Sequence, residues 1–193
     1  MTESIPLTVD EFLQSHEDYP DSGRWSELND GMPVHLMAPD EVHGLSVMNL
    51  TKALAEYNSG HAQSAGYACF ELGLIVGTGP DCVHRPAISY FSTGPLFSNS
   101  DKLVTDEPPQ LIIEMASTPD RRRGMQQRID RYHAFGATSV WVVDPEDREI
   151  IVVPAAAESN RFATTESISD EHGLPGFSMA VDAVFQQPEW WLG

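Results

Sequence analysis

The sequence predicts a mixed α/β or α+β domain built around one sheet. A buried strand, "QLIIEMAS" at 110–117, precedes a helix that Thr118-Pro119 opens and Gly136 ends, and "SVWVVD" at 139–144 is a second buried strand. A strand, a helix and a strand of these lengths form a βαβ unit over 110–144, with the two strands parallel. Because the chain has 193 residues and is 41% hydrophobic, we expect residues 1–193 to form a single domain.

Local signals predict the other elements. Thr8-Val9-Asp10-Glu11 is typical of a capping box before a short helix, and Asn29-Asp30-Gly31 predicts a hairpin turn. The remaining predicted elements are a helix over 41–57, strands over 67–76 and 84–91 joined by a Gly/Pro turn, a strand over 149–154 antiparallel to its predecessor, and a C-terminal tail with a short helix and an apolar flap.

Composition limits the function classes. The net charge of −18, from 11 basic and 29 acidic residues, repels phosphate backbones, so nucleic acid is a possible but disfavoured partner. No apolar run approaches membrane-spanning length, which predicts a cytoplasmic protein that does not enter membranes. Cys69 and Cys82 would lie far apart along the predicted 67–91 hairpin, so we expect no disulfide.

Glu114 is the most informative residue, because it stands inside the apolar run "LIIEMAS" (111–117). A buried carboxylate costs several kcal/mol unless a partner compensates it. Three roles are open to it: a structural ion pair or cap, a metal ligand, or a general acid or base.

Arg128 is the predicted partner of Glu114. At about 100° per residue, the sheet-facing side of the 120–135 helix carries Met125, Arg128, Ile129, Tyr132 and Phe135. Arg128 therefore points inward, and a Glu114–Arg128 pair, or a cation held beside a carboxylate site, is expected.

Five of the eleven basic residues lie within 121–131, and residues 121–123 are all arginine in the predicted first helical turn. Cations there oppose the helix dipole, so a bound anion such as phosphate is one explanation. A solvated face paired with nearby carboxylates is the other.

A set of motifs gives the chain a family resemblance. They are "ELNDG" (27–31), His43 at a helix start, "RPAI" (85–88), "LIIEMAS" (111–117), "RYHAFG" (131–136) and "VWVVDPE" (140–146). In this order they resemble a widespread bacterial restriction endonuclease domain family with the PD-(D/E)xK nuclease-like fold, over about residues 8–187. The resemblance implies a restriction-endonuclease-like core, with a mixed β-sheet and flanking helices.

The resemblance also implies a metal-dependent phosphodiesterase site, in which two carboxylates hold Mg²⁺ or Mn²⁺ and a lysine assists the attacking water. Glu114 matches the second acidic position and Glu27 another acidic position near the site. Ala87 stands where the family has the aspartate of "RPD", and Arg128 stands where it has a helix lysine. The first metal carboxylate and the lysine are therefore both replaced.

Two functions follow from this pattern. The first is a Mg²⁺- or Mn²⁺-dependent endonuclease with Glu114 and Glu27 as catalytic metal ligands and with Arg128 and Arg121 facing the phosphate. The second is a catalytically inactive nuclease-fold binding or regulatory protein, which Ala87, the missing lysine and the acidic charge favour. Such folds are commonly homodimers, and Trp190 and Trp191 are predicted to anchor packing or a dimer.

Four other polar residues are weaker candidates. His43 is expected to pack or cap, and Ser117 to cap a helix. His84 and Asp81 flank the altered "RPA" segment and are the residues that could supply a displaced metal ligand.

Overall fold

The computed structural model describes residues 5–60 and 66–188. Its α-helices are α1 (Val9–Gln14), α2 (Glu41–Gly60), α3 (Pro119–Arg122), α4 (Met125–Phe135) and α5 (Val181–Val184), with short 3-10 segments at His16–Asp18 and Pro20–Gly23. Its strands are β1 (Ser26–Asn29), β2 (Met32–His35), β3 (Tyr67–Phe70), β4 (Gly73–Gly77), β5 (Cys82–His84), β6 (Ile88–Phe91), β7 (Val104–Thr105), β8 (Leu111–Met115), β9 (Ser139–Asp144), β10 (Glu149–Pro154), β11 (Asn160–Ala163), β12 (Ser167–Asp170) and β13 (Leu174–Ala180).

The strands of the described residues divide between two larger sheets and one hairpin. Sheet A has the order β2-β1-β5-β4-β7, sheet B has the order β11-β10-β9-β8-β6-β3, and β12 pairs with β13. The mixed α/β class is confirmed, but the prediction of one sheet is wrong. None of the described helices is both long and apolar enough to cross a membrane.

The split into two sheets arises where two predicted strands break. Glu71 has φ 50°, which interrupts the predicted 67–76 strand between β3 in sheet B and β4 in sheet A. Pro86, which has no N–H to donate to a ladder, lies in the gap between β5 and β6. The Gly/Pro turn therefore joins only β4 to β5, and Cys69 and Cys82 are free and buried in different sheets.

The predicted βαβ unit is confirmed, because β8 and β9 are parallel neighbours. Its connecting helix is not continuous: α3 and α4 are separated at Gly124, which has φ 74°, while Gly136 ends α4 in the left-handed conformation. Residues 121–123 are thus not in the first turn of the helix that carries Arg128.

Side chains of β8 alternate between the two faces of sheet B. Leu111, Ile113 and Met115 pack in a core with α2, β13 and α5, whereas Ile112 packs on the opposite face with Ile129 and Tyr132 of α4. Glu114 has the same parity as Ile112, so its side chain faces α4. The alternation therefore places the Glu114 carboxylate between sheet B and α4.

The hairpin and cap predictions are confirmed at the N-terminal end. The capping box of Thr8 and Glu11 begins α1, and Asn29 pairs with Met32 across a turn in which Asp30 and Gly31 have φ 51° and 76°. Helix α2 continues to Gly60, three residues beyond its predicted end. In the tail, the predicted short helix is α5, while most of the predicted flap is the strand β13. Trp190 and Trp191 lie outside the described residues.

Candidate functional site

Three elements that are distant in sequence bring their charged side chains together. Glu27 comes from β1 of sheet A, Glu114 from β8 of sheet B, and Arg128 from α4, which packs on sheet B. Glu27 and Glu114 are only 3% and 1% exposed, and the Arg128 side chain is 13% exposed. A buried carboxylate from each sheet therefore meets one largely buried cation.

The Arg128 guanidinium uses all three of its nitrogens on the two carboxylates. Nη1 donates to Glu27 Oε2 at 2.5 Å and Nη2 to Glu27 Oε1 at 2.9 Å. Nε and Nη2 donate to Glu114 Oε1 at 2.9 and 2.6 Å. The predicted Glu114–Arg128 contact is present, and Glu27 is bound in a two-pronged geometry that suits arginine better than lysine.

Tyr132 completes the arrangement. Its hydroxyl donates to Glu114 Oε1 and accepts from Arg128 Nη2 at 3.1 Å. Its position one helical turn after Arg128 had indicated the inward face, but a tyrosine there is equally typical of core packing. We call Glu27, Glu114, Arg128 and Tyr132 the ion network.

The electrostatics keep this network charged. Burial by itself would raise the pKa of Glu27, but the Arg128 charge and its hydrogen bonds lower that pKa to about 2. Burial would lower the pKa of Arg128, but the Glu114 and Glu27 carboxylates raise it well above its usual value. Burial, together with the Glu114 carboxylate, raises the pKa of the Tyr132 hydroxyl well above its usual value, against the opposing effect of Arg128. The tyrosine therefore remains a donor.

Ala87 lies beside the network. It directly precedes β6, whose first residue Ile88 pairs with Ile113, the neighbour of Glu114 in β8. The backbone N–H of Arg85 donates to Glu27 Oε1 at 2.6 Å. Ala87 and Glu27 also line the same small cavity.

Arg121 occupies a different environment from Arg128. It is 7% exposed and lines a small cavity with Ala87, whereas Arg128 lines a separate cleft of about 460 Å³. Glu27 borders both spaces. The two arginines predicted to bind phosphate together therefore approach the site from two sides, and that role stays a prediction.

The other arginines of the 121–131 run are distributed over the surface. Arg122 pairs with Asp144 at 2.8 Å and with Glu146, which is the solvated arrangement expected for a charged run. Arg131 pairs with Asp30 at 2.9 Å and holds the β1–β2 turn against α4. Arg123 is exposed at the rim of the 460 Å³ cleft.

The weaker candidates have structural contacts. His43 Nδ1 and Ser117 Oγ are 3.0 Å apart, so the serine contacts α2 instead of capping α3, whose N-cap is Thr118. His84 Nε2 lies 3.4 Å from Cys82 Sγ, and Asp81 accepts from the backbone N–H of Val9 at 2.8 Å.

Both buried histidines are held neutral. Burial, and next the charge of Arg121, lower the pKa of His43 to about 4. Burial, and next the charge of Arg128, lower the pKa of His84 to about 3. Each histidine therefore borders one of the two arginines predicted to bind phosphate.

The donor set does not fit Mg²⁺ or Mn²⁺. A hard divalent cation takes about six oxygen ligands, and it must compete for carboxylate oxygens. Three of the four oxygens of Glu27 and Glu114 already accept hydrogen bonds from Arg128, and Ala87 offers no ligand. Among the described residues, no group of three or more His, Cys, Asp or Glu side chains is arranged to hold a metal ion.

Comparison with known proteins agrees with the fold and with the family motifs. Residues 9–182 match the model of the family described as "Uma2: Putative restriction endonuclease". The chain belongs to this family. The resemblance given by the sequence motifs is therefore confirmed, and residues 9–182 include the whole ion network.

A solved structure supports the same fold. The crystal structure of a "putative nuclease belonging to DUF820" from Anabaena variabilis superimposes with a TM-score of 0.74 at 19% identity, covering 93% of this chain and 98% of that one. At this identity the likeness concerns the fold. No curated protein matches the sequence.

Proposed function

We propose that this member of the Uma2 family keeps the nuclease fold without hydrolysing phosphodiester bonds, and that it acts as a binding or regulatory protein. The observation that carries the proposal is the position of the Arg128 guanidinium, which bridges Glu27 and Glu114 where a nuclease of this fold is expected to hold its metal. Ala87, which precedes β6, offers no carboxylate where the family resemblance implies one.

Charge counting supports this reading. Two carboxylates and one guanidinium leave the network with one negative charge, and the cation already lies within hydrogen-bond distance of both acids. A divalent metal would have to displace Arg128 and leave its charge without a partner in a buried place, which costs several kcal/mol. A lysine could withdraw more readily, because its charge sits at the end of a flexible chain.

Proton chemistry supports it as well. An arginine side chain is not deprotonated in proteins, so it cannot serve as a proton shuttle for an attacking water. The two carboxylates raise the pKa of Arg128 further, against the effect of burial. Glu27, with a pKa of about 2, is a weak base at neutral pH.

A Mg²⁺- or Mn²⁺-dependent nuclease is the second candidate, and one observation favours it. Glu27 and Arg128 line a cleft of about 460 Å³ whose rim also carries the exposed Arg123. In that candidate Glu27 and Glu114 would ligate the metal, and Arg128 with Arg121 would face the phosphate. The net charge of −18 opposes the approach of a polyanion.

Cleavage assays on single- and double-stranded DNA and RNA, with Mg²⁺ or Mn²⁺, separate the two candidates. We expect no cleavage by the wild-type protein. We expect the double variant Ala87→Asp with Arg128→Lys to gain Mn²⁺ binding, measured by titration calorimetry, because it restores a carboxylate and removes the two-pronged bridge.

The single variants Ala87→Asp and Arg128→Lys are the matched controls, since each restores only one part. Wild-type cleavage or Mn²⁺ binding that Glu114→Gln abolishes would overturn the proposal and establish the nuclease.

A further inference from the structure

The buried Arg121 and the half-buried Arg85, which both line a cavity with Ala87, form no salt bridge among the described residues. Arg121 donates from Nη2 to the carbonyl oxygen of Met37 at 3.5 Å, and its buried Nε has no partner among the described residues. Arg85 donates to the carbonyl oxygens of Ser26 and Glu71 at 3.2 and 3.1 Å, and its buried Nη2 has no partner there either. Unpaired buried donors are costly, so each one calls for an explanation.

The glutamates around these two guanidinium groups are paired with other arginines. The small cavity that both arginines line is also bordered by Arg24, Glu71 and Glu27. Glu27 is already bound by Arg128, and Glu71 lies 3.6 Å from Arg24. Within the described part of the chain, neither Arg85 nor Arg121 has a salt bridge to a carboxylate. We call Arg24, Arg85, Arg121 and Glu71 the cationic pocket.

The position of the missing carboxylate is known. Ala87 lines this same cavity, and an aspartate there would place a carboxylate beside Arg85 and Arg121. The carboxylates of Glu71 and Asp120 act electrostatically on Arg121, but neither forms a salt bridge with it among the described residues.

The volume of the cavity beside Arg85 and Arg121 limits the size of the group that can enter it. The enclosed cavity has a volume of about 10 Å³, which is close to that of one water-sized atom. It shares Arg24, His43 and Ala87 with an open cleft of about 380 Å³. Trp25, Pro39, Val47 and Phe70 give this cleft apolar walls, and Asp40 and Glu71 also line it.

We infer that the cationic pocket binds the carboxylate of a small organic acid whose apolar body lies in the adjoining cleft. One carboxylate oxygen enters the enclosed cavity, where Arg85 Nη2 and Arg121 Nε are free to donate, and the anion supplies the charge that Ala87 lacks. A phosphate is disfavoured because it presents a larger oxygen shell to a cavity that admits about one oxygen. This inference rests on the proposed function, because it names the class of ligand for a protein that binds a ligand and does not hydrolyse phosphodiester bonds.

The test uses the whole protein in EDTA, with thermal shift and titration calorimetry. The probes are acetate for the head, benzoate for the head with an apolar body, benzyl alcohol for the body without charge, and inorganic phosphate. We expect saturable stabilisation by both carboxylates, with benzoate binding at least tenfold more tightly than acetate, and no shift with benzyl alcohol.

Three variants locate the binding. Ala87→Asp supplies a tethered carboxylate, so we expect it to raise the melting temperature and to weaken benzoate binding at least tenfold. Arg121→Gln removes a donor and should weaken benzoate binding to a similar extent. Arg123→Gln is the matched control, because Arg123 is exposed in the same run and should leave binding unchanged.

Absence of saturable binding, equal response to phosphate and benzoate, or full benzoate binding by Ala87→Asp would each overturn the inference. Because the titrations contain no divalent metal, their result is independent of the cleavage assays. A protein that cleaves nucleic acid and also binds benzoate would overturn the proposed function alone, and an inactive protein that binds no carboxylate would overturn the inference alone.

Discussion

The ion network and the cationic pocket are neighbouring clusters of arginine and glutamate that differ in how their arginines are paired. In the ion network every nitrogen of Arg128 has a carboxylate partner. In the cationic pocket Arg85 and Arg121 donate only to backbone carbonyls and keep two buried nitrogens without partners among the described residues. Glu27 borders both.

The difference separates the effects of the residues at positions 128 and 87. An arginine at position 128 closes the space between two acids, because a planar guanidinium can bind both at once. An alanine at position 87 leaves its neighbouring cations without an acid. The arginine at position 128 is therefore paired with carboxylates, whereas Arg85 and Arg121 beside Ala87 have no salt bridge among the described residues.

Breaking the ion network should give the largest loss of stability. Arg128→Met would leave Glu27 and Glu114 buried without a cation, which costs about 3–5 kcal/mol when one partner of a buried pair is removed. Urea unfolding at pH 7 measures the change in the free energy of unfolding.

The charge-free triple variant, with Glu27→Gln, Glu114→Gln and Arg128→Met together, is the control for this loss. We expect it to recover at least half of the stability, because no unpaired charge remains. A loss below about 1 kcal/mol in Arg128→Met would mean that the network contributes no net stability.

Acid should destabilise the protein next most strongly, through one histidine beside each cluster. The pKa values of His43 and His84 are about 4 and about 3 in the folded protein, against an ordinary value of 6.5. Below pH 6.5 the unfolded chain binds protons that the folded protein does not, so stability is lost as the pH falls. Between pH 7 and pH 5 we expect about 2 kcal/mol from each histidine.

Measuring the free energy of unfolding across this pH range tests whether His43 and His84 cause the loss of stability. His84→Asn and His43→Asn should each remove about half of the slope, and His172→Gln, which changes an exposed histidine, should leave it intact. Below pH 4.5 a further loss is expected, because the unfolded chain protonates Glu27 while its pKa of about 2 keeps it charged in the folded protein. A flat profile from pH 7 to pH 5 would contradict the neutral burial of the histidines.

The sequence was sufficient to predict the contact between Glu114 and Arg128, because it depends on local periodicity within one βαβ unit. The alternation of β8 and the spacing of α4 place both side chains in the same layer. Glu27 lies 101 residues from Arg128, so no local pattern joins them. Its place near the site came from the family resemblance.

The cationic pocket could not be predicted in the same way. Residues 121–123 have identical side chains, yet Arg121 lies within α3 and is buried, whereas Arg123 is the exposed, extended C-cap of that helix. The division into two sheets depends on φ 50° at Glu71, a residue type that gives no turn signal. Tertiary packing decides both features.

A smaller effect is expected at the rim of the ion network. Arg131 and Asp30 form a salt bridge with side chains 21% and 52% exposed. Such pairs contribute about 0–1 kcal/mol and are screened by salt. Arg131→Gln and Asp30→Asn should each reduce the free energy of unfolding by no more than about 1 kcal/mol, measured by urea unfolding, and less at 1 M salt. A loss as large as that of Arg128→Met would contradict a rim position for this pair.

The smallest effect on stability should come from Arg121→Met, although Arg121 is more buried than Arg131. The substitution removes a cation that has no carboxylate partner, so relief of desolvation offsets the loss of a 3.5 Å hydrogen bond to Met37 and of the contact with the Trp25 ring at 5.9 Å. We expect a change below about 1 kcal/mol in either direction by urea unfolding without organic acids. Addition of benzoate should stabilise the wild-type protein and Arg123→Met but not Arg121→Met. A loss equal to that of Arg128→Met would show that Arg121 is compensated as fully as Arg128, and the contrast between the two clusters would then fail.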